Sequence, residues 1–520
     1  MKTVLLTTSG TGSRLGSLTK YTNKSLVKIG EKLAICYIIE NYPEDTEFII
    51  TLGYYGKLVI DFLKLAYPSR NFKYVDVSPF DGEGSSLGYS MLSAKEYLQK
   101  PFIFHCCDSL TFQPIKMNGE NILYVVKGCD FMSYSSINIS GDYVIRMNKK
   151  GVYDNDYIYT GISSINNYSE FWKALDDLYE TNPKNTSLSD INVYEIMIHN
   201  DIPIKYCVLE SYYDTGNMKS YTKTCSEFEY KHSVIDKNNE SLCFFPDRVI
   251  KFCSDIDTNR KRVLRGKDLE HLIPRILNSN ENFMEMEYCK GTVLSECSSY
   301  GEVDKLLRWA KKNLWLNENV DDKFRNTCHN FYYDKTLSRL KTIPFLDKEI
   351  STVNGINTGS IYDLLKEVDF KSLETNIFYR IHGDFILDNI IKSSSGEFIL
   401  LDWRHEFADQ IFLGDIYYDL AKLRHNIIFN HKNINNNLYS YSDNSDIVVD
   451  LKCNYFLIKQ LDEFTDFIKK NNFNEKKIRI LTALIWINMS PLYEGNLSKF
   501  LFYFGKLNLY LANQERPYES

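Results

Sequence analysis

The chain has 520 residues, which at roughly 150 residues per domain points to two to four domains and excludes a single small module. Lys and Arg number 61 against 68 Asp and Glu, a formal net charge of −7, which argues against a protein built to wrap nucleic acid. With 44% hydrophobic and 25% charged residues the chain can fill sizeable cores, and global disorder is excluded.

Twelve cysteines are too sparse for a disulfide scaffold and none stands in a CxxC pair, so Cys106 and Cys107 read as buried small side chains and a reducing cytoplasm is expected. The longest apolar stretch, Ile480 to Met489, is broken by Thr482 and Asn488 and falls short of the roughly 18–20 residues of a bilayer span. Met1-Lys2-Thr3-Val4-Leu5-Leu6 passes directly into a glycine turn, without an apolar segment of signal-peptide length. The expected partners are small molecules, with no nucleic acid and no membrane insertion; a homo-oligomer is compatible with the composition.

In chain order, Thr3 to Thr7, Phe48 to Leu52 and Pro101 to Cys107 read as buried strands, separated by helical patterns at Ala34 to Glu40 and Lys57 to Leu65. This βαβ rhythm predicts a largely parallel sheet, with ligands at the carboxyl ends of its strands, where Gly10 to Arg14 and Asp108 lie. A polar stretch, Glu227 to Glu240, places a domain boundary between residues 230 and 238. Strand-like pieces follow at Ser241 to Phe245, Arg248 to Phe252 and Phe283 to Tyr288, and the chain is helix-rich from Val303 onward. That order predicts a small antiparallel lobe over about 238–295 and a larger helical lobe over about 296–520. The Asn-rich run Lys432 to Asn437, with its neighbours up to Asp446, reads as a solvated loop.

The first chemical constellation is Thr8-Ser9-Gly10-Thr11-Gly12-Ser13-Arg14-Leu15, directly after the first strand. Glycines let the backbone approach phosphate oxygens, and N–H groups leading into a helix form an anion cradle. Alone, such a Gly-x-Gly is as often a plain turn. Followed by Leu18-Thr19 and Asn23-Lys24, it resembles the signature loop of sugar-nucleotide pyrophosphorylases and related nucleotidyltransferases, with Ser9 in place of a glycine and Asn23 in place of a proline. The resemblance implies a Rossmann-like (GT-A-like) nucleotidyltransferase domain over residues 1–230. It implies that Arg14 and Lys24 neutralise the triphosphate and the attacking phosphate, and that Ser9, Gly10, Thr11 and Gly12 cradle the nucleotide. Asp108 and Asp214, the latter in Tyr213-Asp214-Thr215-Gly216, would bind Mg²⁺. The loop from Asp81 to Ser90, with Gly82, Gly84 and Ser85, would read the nucleobase, and Thr160-Gly161 would help form an acceptor-phosphate pocket. The family's Glu-Lys-Pro element before Thr160 is missing.

The second constellation is Ile381-His382-Gly383-Asp384-Phe385-Ile386-Leu387-Asp388-Asn389, followed by Phe398-Ile399-Leu400-Leu401-Asp402. Phosphoryl transfer needs a carboxylate at the substrate hydroxyl, with an amide oxygen and a second carboxylate for metal, and this spacing delivers them. With Gly414-Asp415 and Asp419-Leu420-Ala421 the segment resembles the aminoglycoside phosphotransferase and choline kinase superfamily, specifically over residues 381–423. The resemblance implies an α+β bilobal protein-kinase-like domain over 238–520, with Asp384 as catalytic base, Asn389 and Asp402 as Mg²⁺ ligands and His382 organising the loop. Asp415 and Asp419 read as structural. Lys251 on a strand and Glu270 on the following helix would form the ion pair that positions the phosphates of ATP, and Met284 to Gly291 would be the hinge.

Together the two halves read as a bifunctional enzyme. It would phosphorylate a small hydroxylated compound with ATP, then couple the ester to a nucleotide from a second NTP, CTP or UTP being favoured. The product would be an activated precursor for a surface glycan. A sugar or polyol acceptor is favoured over the alternative, choline or ethanolamine with a cytidylyltransferase. The other class of reading, a non-catalytic nucleotide-binding regulatory module, is disfavoured because the acidic residues and the cations Arg14 and Lys24 are all present.

Overall fold

Strand β1 (Thr3–Thr7) is buried at every residue, and its side chains alternate between two cores: Val4 and Leu6 face one, Leu5 the other. The computed structural model describes residues 2–128, 132–230, 238–297, 300–443, 446–452 and 455–515. It is a mixed α/β chain of two compact units, Met1–Ile256 with Asn278–Glu285, and Asp257–Leu277 with Met286–Ser520.

In the first unit the strands of the main sheet and of the pair beside it are β1, β2 (Glu47–Leu52), β3 (Asn71–Asp76), β4 (Phe102–Cys106), β5 (Ser109–Leu110), β6 (Asn121–Val126), β7 (Ser136–Ser140), β8 (Tyr143–Asn148), β9 (Tyr157–Ile165), β10 (Ile204–Val208) and β11 (Tyr213–Asp214). Nine of them form one sheet in the order β3-β2-β1-β4-β9-β6-β10-β8-β7, with β5 and β11 paired separately. The first four are mutually parallel; β9 joins β4 antiparallel, so the sheet is mixed beyond those four strands. Phe48 and Ile50 continue one core and Ile49, Phe102 and Phe104 the other. Each such side chain removed from water stabilises the fold by about 1.5–3 kcal/mol. Helices α1 (Ala34–Glu40) and α2 (Gly56–Ala66) cover the first face, and α3 (Leu87–Leu92) the second.

The boundary residues Lys231, His232, Asp236 and Lys237 lie outside the described residues. The hairpin of β12 (Glu240–Phe244) and β13 (Arg248–Cys253), read above as the start of the small lobe, groups with the first unit. Cys243 Sγ lies 3.7 Å from Cys36 Sγ, the Phe244 N–H donates to the Glu31 carbonyl at 2.8 Å, and Ile250 and Phe252 join the first core.

The second unit is dominated by helices, among them Glu302–Asn313, Ile416–Ile428, Tyr455–Lys470, Glu475–Met489 and Gly495–Asn513, with short sheets between them. Among the described residues no helix is long and apolar enough to cross a membrane. The Asn-rich run is not a loop. Asn430 and Asn433 form a reciprocal capping box that starts a helix over His431–Asn435, Asn433 is buried, and a hairpin of Tyr439–Asp443 with Ile447–Leu451 follows.

Candidate functional site

The glycine loop of the first unit leaves β1 and is fixed from below. Asn23, buried, donates its amide to the carbonyls of Thr8 at 2.8 Å and Tyr54 at 2.6 Å, while its oxygen accepts from the Ser25 N–H and hydroxyl. The Asn23 amide therefore ties the loop after β1 to the loop after β2 by two bonds, and its oxygen starts the short turn at Lys24. Ser9 shares a hydroxyl network with Ser90, whose oxygen also lies 2.8 Å from Thr51 Oγ1. Gly12, at φ +67°, packs so closely on Lys24 and Thr19 that a Cβ would lie 2.9 Å from Lys24 Cβ, whereas Gly10 faces open space. Thr11 is partly exposed beside it. Gly53, directly after β2, brings its backbone against the Ser9 carbonyl, where no side chain fits.

The two aspartates meet through strand pairing. β5 and β11 are antiparallel with Asp214 opposite Ser109, and the Thr215 N–H donates to the Asp108 carbonyl at 2.9 Å. A Cβ built on Gly216 would lie 3.1 Å from Asp108 Oδ2, 3.1 Å from Asp214 Oδ1 and 3.5 Å from Arg14 Nη2. Lys24 Nζ sits 3.1 Å from Asp108 Oδ2. Burial alone would raise the Asp108 pKa, but Lys24, a hydrogen bond from Cys106 and the more distant Arg14 overcome it and hold the carboxyl down at about 2. Asp108 in turn keeps Lys24 charged against its own burial. Tyr134, a residue with no sequence signal, donates its hydroxyl to Asp214 Oδ2 at 2.6 Å, and the Gly216 N–H donates to Asp214 Oδ1 at 2.9 Å.

Behind them, His105 donates from Nε2 to the Ser109 carbonyl at 2.8 Å and accepts the Tyr42 hydroxyl at Nδ1 at 2.7 Å. Burial lowers its pKa to about 4, so it is a neutral brace for the strand that carries Asp108.

Two carboxylates converging on a space that a single methyl would fill fit Mg²⁺, a hard cation that takes one or two carboxylates and completes its shell with phosphate oxygens and water. Among the described residues no cluster of three or more His, Cys, Asp and Glu offers an alternative.

In the loop expected to read the base, Gly82 and Gly84 both have positive φ, and the Ser85 hydroxyl donates to the Gly82 carbonyl at 2.6 Å. Ser86 caps α3. Thr160 donates to the Tyr124 carbonyl and receives the Ser109 hydroxyl on its own carbonyl, at a bulge between β9 and β6 that holds Gly161 at φ +77°.

In the second unit the loop after Ile381 is held by Asp419, whose carboxylate accepts the N–H groups of His382 at 2.8 Å and Gly383 at 2.7 Å and the Trp315 indole N–H at 3.0 Å. Asp415 caps the Ile416–Ile428 helix and pairs with Lys477 at 2.9 Å. His382 Nδ1 accepts the Asp384 N–H at 3.2 Å. Asn389 donates to both the carbonyl and carboxylate of Asp384. Asp402 ends this cluster in a left-handed conformation at φ +51°, and its charge opposes the ionisation of Asp384. Lys422 Nζ lies 2.6 Å from Asp384 Oδ1; against burial, it holds the carboxyl at about 2. Lys422 sits three residues after Asp419, one helical turn on, and that spacing was the available signal for it. An amide and two carboxyl groups around one loop suit a hard cation here as well.

Lys251 is buried on β13 and pairs with Glu240 across the hairpin at 3.3 Å. The glutamate expected on the next helix is not there: the Ile256–Asp268 helix carries none, and Glu270 is exposed in the turn after it. The segment expected as the hinge is the strand Phe283–Glu287 and the turn beyond.

No family model matches the sequence, and no curated protein matches it. Solved structures do. A UDP-glucose pyrophosphorylase complexed with UDP-glucose is 18% identical, covering 44% of this chain and 98% of its own, with a TM-score of 0.37. The CTP:phosphocholine cytidylyltransferase of Streptococcus pneumoniae is 21% identical over 44% of this chain and 99% of its own, with a TM-score of 0.36. The inositol-1-phosphate CTP transferase from T. maritima is 17% identical over 44% of this chain and 96% of its own, with a TM-score of 0.35.

Proposed function

We propose that the first unit transfers a nucleotidyl group from an NTP to a phosphate ester, releasing pyrophosphate. The observation that carries this reading is the convergence of Asp108, Asp214 and Arg14 on the space before Gly216, with Lys24 against Asp108. Arg14 and Lys24 bind and orient the triphosphate and the attacking ester, whose negative charges would otherwise repel each other. Asp108 and Asp214 would hold Mg²⁺, which when bound supplies charge neutralisation at the α-phosphate. Ser9, Gly10, Thr11 and Gly12 present backbone to the phosphates, and Gly82, Gly84 and Ser85 border the base.

The same reading gives the second unit phosphoryl transfer from ATP to a hydroxyl. Asp384, kept ionised by Lys422, accepts the hydroxyl proton, and Asn389 and Asp402 would hold Mg²⁺. What supports it is the gathering of Asp384, Asn389 and Lys422 on a loop pinned by Asp419. The chain would then activate one compound in two consecutive steps, hydroxyl to phosphate ester to nucleotide-linked precursor, with a sugar or polyol skeleton favoured for the acceptor. The test is pyrophosphate release and ADP formation by the full chain with Mg²⁺, ATP, each NTP and a panel of alcohols. Neither product from any combination rejects the proposal.

A further inference from the structure

Beside Asp384, within the second unit, lies a cavity of about 100 Å³. Its polar wall is cationic. Lys335, Arg339, Arg404 and Lys422 line it, and among the described residues no Asp or Glu does. Lys422 is the one that reaches Asp384.

Lys335 stands out among the four. It follows a π-turn over Asn330–Asp334, where a helix takes one residue too many, a feature that recurs at functional sites. Its ammonium lies 4.0 Å from the centroid of the Phe331 ring and 6.0 Å from that of Tyr418, and it has no carboxylate partner among the described residues. Arg404 lies over the same Phe331 ring at 5.2 Å. Burial, with Arg404, Arg339 and Lys422 nearby, pushes the Lys335 pKa well below its usual value. Four cations crowded around one space, with the nearby carboxylate already engaged by one of them, are a costly arrangement that an entering anion relieves.

We propose that this cavity binds the acceptor of the second unit and that the acceptor is an anionic alcohol, carrying a carboxylate or phosphate seated on Lys335, Arg339 and Arg404. The proposal rests on the phosphoryl-transfer reading of Asp384 and narrows its substrate class. It places choline and ethanolamine, both cations, outside the site. In the reaction the bond from the β,γ-bridging oxygen of ATP to the γ-phosphorus breaks, a bond from the acceptor hydroxyl oxygen to that phosphorus forms, the hydroxyl proton passes to Asp384, and ADP leaves.

The test is calorimetric titration of the full chain, with Mg²⁺ and a non-hydrolysable ATP analogue, against glycerate, glycerol 3-phosphate, glycerol and choline. At least one anion is expected to bind about tenfold or more tighter than glycerol and choline, and which one binds separates carboxylate from phosphate recognition. Lys335→Met is expected to weaken that anion by about tenfold; Lys335→Gln serves if the first variant fails to fold. Equal or tighter binding of choline or glycerol overturns the proposal, as does an unchanged anion affinity in a folded Lys335 variant, or no saturable binding of either anion. ADP formation, measured separately with ATP, tests the underlying reading. Lys335-dependent anion binding with no ADP from any alcohol keeps the anion site and rejects phosphoryl transfer.

Discussion

Asp108 and Asp214 are brought to one point by a pairing of two residues with two, in which Asp214 lies opposite Ser109 and Tyr213 opposite Leu110. Asp108 Oδ2 and Asp214 Oδ1 are each 3.1 Å from the position of a Cβ on Gly216. Gly216 is not held at positive φ, so a methyl there strains no backbone and acts only on the space between the carboxylates. Gly216→Ala is expected to lower pyrophosphate release by about a hundredfold or more, the range seen when one group that stabilises transition-state charge is lost, with an unchanged melting temperature. A stopped pyrophosphate assay checks the first and a thermal melt of the purified variant the second.

Asn23 makes four hydrogen bonds through its side-chain amide. Asn23→Ala strands the buried carbonyl of Thr8 and the partly buried one of Tyr54, and a destabilisation of about 1–3 kcal/mol is expected from denaturant unfolding, with a raised KM for the NTP. A variant as stable as the parent would show that the loop is held elsewhere.

Much of this was legible in the sequence, for reasons that differ from residue to residue. Strands buried on both faces write themselves as unbroken apolar runs, so Thr3 to Thr7, Phe48 to Leu52 and Phe102 to Cys106 were readable, and with them the glycine loops and Asp108 that follow. The meeting of Asp108 with Asp214 spans more than a hundred residues and leaves no local mark. Tyr134 is equally silent. Glu270 was misplaced because its helix stops at Asp268, with Leu269 and His271 turning the chain and His271 at φ +72°. The Asn run was misread because asparagines that cap a helix have the same composition as a solvated loop. Lys335 gains its place from a π-turn, which periodicity at 3.6 residues does not announce.

Asp384→Asn is expected to reduce ADP formation by about 10²–10⁴-fold while leaving nucleotidyl transfer to a supplied phosphate ester intact. Lys422→Met removes the charge that holds Asp384 ionised, so the Asp384 pKa rises and the acidic limb of the ADP-forming rate moves to higher pH. A pH–rate profile on both proteins measures the displacement; an unmoved limb contradicts the role given to Lys422.

Acid acts on the first unit in two windows. The His105 pKa is depressed to about 4 from an unfolded value near 6.5, so the unfolded chain binds the extra proton and stability falls as pH drops from about 6.5 to about 4. Asp108, depressed to about 2 from about 3.9, contributes stability that is full above about 4 and is lost as pH falls toward 2. The difference in melting temperature between wild type and His105→Gln should change in the upper window, and that between wild type and Asp108→Asn in the lower one.

The most direct measurement is mass spectrometry of the products formed by the full chain from ATP, each NTP and a pool of alcohols with Mg²⁺, run on wild type, Asp214→Asn and Asp384→Asn. The wild type should yield a nucleotide-linked product, Asp214→Asn should stop at the phosphate ester, and Asp384→Asn should give the linked product only when that ester is supplied. A nucleotide-linked product from folded Asp214→Asn at the wild-type level, or loss of both reactions in either folded variant, contradicts two separate sites.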